Sequence, residues 1–313
     1  LRDGRRAQLS ARGRPGDGRG GLRAAPDRTL WTSDRHSFVQ IRDGGTAVRV
    51  IGPPPVDGSL VEISAVAGDQ RGQIYAVDDR TGAVHVFDAS GAKLRVCKPA
   101  KNDFSGNAGP VHLAADADGS VFLAMESHGA PSYLHFAPEG QRIGIERLDV
   151  DEITQEWYPQ PGTGHLLVVG CHTVFLVNRK GEIVRTIERR PDRGWLDNPQ
   201  DLAFAKDGSF AILASSSQQF SRGQTINFFA RDGEPVSMFR LPDEFAQLRG
   251  FNGSHVSLST GEDILIYDRK GAAVQRFPGP DPRGNWNHFL TRDGRELWVV
   301  DLATHKVDRY AMP

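Results

Sequence analysis

Short alternations of apolar and polar residues run the length of this chain, and they come in pairs around a turn that ends in glycine: FVQIRDGGTAVRVIG, VHVFDASGAKLRVC, LHFAPEGQRIGI, VFLVNRKGEIVRTI, INFFARDGEPVSMF and ILIYDRKGAAVQRF. A period of two sends successive side chains to opposite faces of a sheet, and glycine takes the positive φ that the turn demands. Each pair therefore predicts a β-hairpin. The turn glycines Gly44, Gly91, Gly140, Gly181, Gly233 and Gly271 are spaced by 38 to 52 residues.

Ahead of each hairpin lies another strand pair. GLRAAPDRTLWTSD (21–34) matches HFLTRDGRELWVVD (288–301) without a gap, and HLAADADGSVFLAME (112–126) and DLAFAKDGSFAILAS (201–215) fall into the same frame. Four short strands per unit at this period predict an all-β chain folded as a β-propeller of four-stranded blades. Counting inner strands gives seven blades, over 21–52, 60–98, 110–149, 155–190, 199–242, 247–279 and 286–313, with six as the alternative count, and makes 1–313 a single domain. The seventh blade stops after three strands, while residues 3–11 read as a turn and a fourth strand with nothing before them. An open ring would expose sheet edges, so 3–11 are expected to complete the last blade.

Composition narrows the function classes. The formal net charge of -1 argues against a nucleic-acid surface, and the eight Arg against three Asp in residues 1–28 read as loop solvation. The longest apolar stretch, HLLVVGCHTVFLV, has 13 residues and two His, too short and too polar to span a bilayer. The two cysteines, Cys97 and Cys171, fall in different repeats and imply neither a disulfide framework nor a zinc ribbon. The chain begins at Leu1 rather than Met, which leads to the expectation that a leader or another domain has been removed and that the protein is extracytoplasmic and monomeric.

The loops before the inner strands and after the second strands share one face, where a channel opens between the inner strands. The repeat frame sends His112, Asp201 and His288 to equivalent inner-strand positions, with Glu62, Glu156 and Arg249 in the corresponding blades. Two imidazoles and several carboxylates at one channel suit a divalent metal, zinc or calcium, or a general acid and base of unlike pKa; they equally suit a merely solvated channel lining. Trp157, Trp195 and Trp286 start blades, and His128 sits in the long loop ESHGAPSY; these are the candidates for holding a protein, carbohydrate or small-molecule ligand, packing between blades being the alternative for each tryptophan. His36, His172 and His305, just before β runs, read as structural, and Trp31 and Trp298 as core. Asp34, Asp78 and Asp301, closing second strands, are expected to hold loop amides.

The stretches IYAVDDRTGAVHVFDASG, LWTSDRHSFVQIRDGG and LWVVDLATHKVDRY resemble NHL repeats, in which a strand ends in Asp, a short loop follows, and the next strand closes on Asp-x-x-Gly. The resemblance covers residues 21–313 and extends to the regucalcin-like lactonases and the lyase of peptidylglycine amidation. It implies a propeller that scaffolds partners, hydrolyses lactones with calcium, or performs zinc-dependent lyase chemistry. The lyase's zinc ligands are histidines starting inner strands, which by this resemblance correspond to His112 and His288. A third such His is absent and Leu rather than Gly follows His112, so the ligand set is incomplete. The primary expectation is accordingly a binding module, with a metal-dependent lyase or hydrolase as the alternative.

Overall fold

The computed structural model describes most of residues 63–312 and, before them, the backbone of four strands (23–24, 30–33, 38–41, 47–51); the short stretches outside it include 104–109, 126–131, 151–153, 216–222, 243–245, 280–285, 291–294 and 302–306. Among the described residues seven antiparallel sheets follow one another, six of four strands and one of three, and in each the spatial order of strands is the order of the sequence. This is the β-propeller that the alternation predicts. The first strands of consecutive sheets pack on one another, for example Ile63–Gly68 on Pro110–Ala115 and Pro199–Phe204 on Gln247–Phe251, which sets them around the axis. The expected closure strand, 3–11, lies outside the described residues, and the seventh sheet (Trp286–Leu290, Glu296–Asp301, Val307–Ala311) has three described strands.

The core lies between blades. Alternate residues of each sheet meet alternate residues of the next: Tyr75, Val77 and Val86 of blade two face Leu113, Leu123 and Leu134 of blade three, and Leu213, Ile226 and Phe228 of blade five face Leu248, Val256 and Leu258 of blade six. At the hairpin between third and outer strands, the turn glycine of one blade is seated on the outer strand of the blade before it. A Cβ added to Gly140 would lie 3.4 Å from the Cys97 sulfur, one on Gly181 would lie 3.1 Å from the Glu146 Cβ, and one on Gly271 would lie 2.8 Å from the Phe239 Cβ. Charged side chains tie the same seams: Arg179 of blade four reaches Asp116 and Asp118 of blade three, each at 2.6 Å, and Arg185 reaches Glu234 of blade five at 2.6 Å.

Every outer strand of blades one to six carries a β-bulge at the same place, and the extra residue is aliphatic: Val48, Leu94, Ile143, Val184, Val236 and Val274. The five whose side chains are described are 43 to 54% exposed. An outer strand has a free hydrogen-bonding edge, and a bulge twists that edge so that a strand from another molecule cannot extend the ladder.

Candidate functional site

Bulges recur on the inner strands too, near the end where each enters the channel. The extra residues are Ser64, Val111, Gln155, Gln200 and Arg249, in blades two to six. A bulge releases its residue from strict alternation, and such positions commonly aim side chains into sites. Directly after the bulge come His112, Glu156 and Asp201, paired with Ala124, Val169 and Leu213, so these three are equivalent in register. The strand Trp286–Leu290 has no bulge, and His288 pairs with Val299, which packs on Ile264 and Ile266 of blade six. Asp201 therefore faces forward to blade six, whereas His288 faces back to it.

Between them lies Arg249. Asp201 accepts the Leu248 amide through Oδ2 at 3.1 Å; burial pushes its carboxyl above the ordinary range, against the Arg249 charge and that N–H. His288 is 2% exposed, and burial, followed by the same Arg249 charge, holds its imidazole down at about 3. One guanidinium thus acts on groups from blades five and seven. Among the described residues its one hydrogen bond goes to Gln247 Oε1, and no carboxylate pairs with it. An imidazole with a lower pKa in the folded than in the unfolded state contributes stability above the unfolded pKa, near 6.5, that is lost as the pH falls toward the folded value. The fall in urea midpoint between pH 6.5 and 4.5 is therefore expected to be smaller in His288→Gln than in the unaltered protein; equal falls would show that this imidazole does not set the acid sensitivity.

The blade five side of the channel mouth is a chain of amides and hydroxyls. Asn198 Nδ2 and Gln200 Nε2 donate to Ser215 Oγ at 2.8 and 3.2 Å, and Gln224 Nε2 donates to Gln200 Oε1 at 2.9 Å. Gln224 also pairs with both backbone groups of Ala246, donating to its carbonyl at 3.0 Å and accepting its amide at 2.7 Å, which locks blade six to blade five. The connection leading into this blade carries Trp195, 55% exposed, with the Arg189 guanidinium 3.3 Å from its ring centroid. Because inner strands start and second strands end on this face, Trp195, Gln200, Ser215 and Arg249 share it.

The other sequence candidates are distributed differently. Trp157 is 7% exposed and belongs to the core between blades three and four, its ring 5.2 Å from Tyr133. Trp286 begins the inner strand of blade seven, and its side chain, like those of His112 and Glu156, falls outside the described residues, as do Glu62 and His128 entirely. His172 is exposed, while His36 and His305 lie outside the description. Asp78 is buried and accepts the Arg80 amide at 2.9 Å, the loop-holding role expected of it. Sequence reasoning passed over Gln200, Ser215 and Gln224; the signal that could have found them is the polar residue standing immediately before the Asp201 position, one step out of the alternation.

Zinc or calcium would need several ligating side chains at one point. Among the described residues no three of His, Cys, Asp and Glu gather in that way. Asp201 and His288 instead flank a guanidinium whose positive charge opposes a cation, so this pair does not fit a divalent metal. On the opposite face, where Asp116, Asp118 and Arg179 meet the turn Gly162–His165, an open cleft of about 520 Å³ lies between blades three and four. Its carboxylates are already engaged by Arg179, and Gly164 is needed there because a Cβ would come within 2.8 Å of that side chain.

No protein-family model matches the sequence. No curated protein matches it either. Solved structures do match. A hydrazine synthase from Kuenenia stuttgartiensis is similar with a TM-score of 0.66 and 14% identity, over 97% of this chain and 98% of that one. A virginiamycin B lyase from Staphylococcus aureus is similar with a TM-score of 0.66 and 11% identity, over 95% and 96%. A chain of a mitotic checkpoint complex gives a TM-score of 0.67 and 13% identity, over 95% and 89%. At such identities the likeness concerns the fold alone. Together with seven sheets in sequence order, it makes this chain a β-propeller.

Proposed function

We propose that this propeller is a binding module, and that the face carrying Trp195, Gln200, Ser215 and Arg249 holds a small-molecule or carbohydrate ligand. The observation that carries the reading is Trp195, more than half exposed, with Arg189 over its ring, on the same face as a connected row of amides and a hydroxyl. A large indole left in solvent, rather than buried like Trp157, is suited to stacking on a ligand ring, and its Arg189 partner holds it in one orientation. Amides donate and accept together, as sugar hydroxyls do, and they are set here by their own hydrogen bonds before any ligand arrives. The structural neighbours are compatible with either a partner-binding or a catalytic propeller and do not choose between them.

The test is a screen of neutral and acidic sugars and short peptides by calorimetry, followed by variants. Trp195→Ala is expected to weaken the ligand about tenfold or more, the usual size for loss of an aromatic anchor. A ligand whose affinity is unmoved by both Trp195→Ala and Gln200→Ala would place binding elsewhere. The alternative, a metal-dependent lyase or hydrolase, rests on His112, Glu156 and Glu62; stoichiometric zinc or calcium in the purified protein, lost in His112→Ala, would favour it over the binding module.

A further inference from the structure

Arg249 stands on the binding face, but the reading above gives its guanidinium no partner. It is the extra residue of an inner-strand bulge, partly buried, with one described hydrogen bond, to the side-chain oxygen Oε1 of Gln247. A guanidinium has five N–H donors in a rigid fork. A partly desolvated fork ordinarily takes a carboxylate, as Arg142 takes Asp103 at 2.7 and 2.6 Å elsewhere in this molecule. Among the described residues Arg249 makes no such pair. Asp201, across the blade boundary, is turned onto the Leu248 amide, and burial disfavours its charge; His288 is held neutral. Among the described residues the fork therefore makes no ion pair: Asp201 feels its charge but accepts from the Leu248 amide, and the fork's described hydrogen bond goes to Gln247 Oε1.

We infer that Arg249 is an anion-binding residue and that the ligand of this face is a sugar acid, a ring bearing one carboxylate among several hydroxyls. The inference rests on the binding reading above and deepens it. The carboxylate meets the Arg249 fork with two parallel hydrogen bonds, the hydroxyls meet Gln200 and Gln247, and the ring lies toward Trp195. A fully neutral sugar would leave the fork unmatched. A simple carboxylate such as acetate would satisfy the fork and forgo the amides.

The experiment is calorimetric titration of the full chain with glucuronate, glucose and acetate. Glucuronate is expected to bind at least about tenfold more tightly than either, in line with a charge-assisted bidentate pair. Arg249→Met should remove that preference, so that glucuronate binds no more tightly than glucose; Arg249→Lys, which keeps the charge but not the fork, should retain part of it. Unfolding curves of both variants establish that they fold, and Lys stands in should Met not. Equal binding of glucuronate and glucose, or a glucuronate affinity indifferent to Arg249→Met and Arg249→Lys, overturns the carboxylate assignment. Acetate binding as tightly as glucuronate, or no glucuronate binding at all, overturns the sugar. In each of these cases a ligand that still depends on Trp195 preserves the binding reading, so the two can fail separately.

Discussion

Replacing Gly271 with valine is expected to destabilise the propeller by about 3 to 4 kcal/mol, a large share of the roughly 5–15 kcal/mol by which folded domains are stable. Two effects add. Gly271 has φ +85, a conformation in which a side chain costs about 1–2 kcal/mol. Any side chain also drives its Cβ to 2.8–2.9 Å from the Phe239 Cβ, Cγ and Cδ2, and Phe239, packed between Phe228 and Tyr267, has little room to withdraw. Displacing it costs about a further 1–3 kcal/mol. Gly162 supplies the control: its φ is +67, but nothing lies within 4 Å of an added Cβ. Gly162→Ala should therefore show the backbone contribution alone, and chemical denaturation of both variants separates the terms. Equal losses in the two would mean that the seat on Phe239 contributes nothing.

The second large effect is expected at Phe228. It is completely buried, with ring centroids 6.0 Å from Phe239 and 5.4 Å from Phe251, and Arg269 5.2 Å above its ring. Phe228→Ala removes the centre of the seam between blades five and six, and should cost about 3–5 kcal/mol. The same variant changes the Gly271 result. With Phe228 gone, Phe239 can move into the space, so the loss on adding Gly271→Val should fall short of the sum of the singles, by about 1 kcal/mol or more for groups that share a neighbour. Strict additivity in that double-mutant cycle would contradict the contact chain from Gly271 through Phe239 to Phe228.

The architecture was legible because its two determinants are local. Alternation at a period of two and a glycine turn name a hairpin without reference to anything distant, and repetition multiplies the signal. The site was less legible, and the reason lies in single-residue displacements. Gln200 is an extra residue in its strand, so a count along the sequence passes over it, and Arg249, read as the counterpart of Asp201, is the counterpart of Gln200, one position earlier. His288 stands one residue nearer its turn glycine than Asp201 does, which is enough in a pleated strand to send it to the other face. The tryptophans show a different limit: Trp157 and Trp195 both start blades, but only the surroundings, Tyr133 and Phe175 for one and a single arginine for the other, make the first core and the second surface.

The seat of the turn glycine on the preceding outer strand bears on how far such a chain can drift. A joint that depends on the absence of an atom makes no demand on the identity of the residue it touches: the partners are a cysteine and a glutamate in two blades, and an arginine and a phenylalanine in two others. What each such joint needs is a spacing and one missing methyl group, whatever residue the preceding outer strand places beneath it.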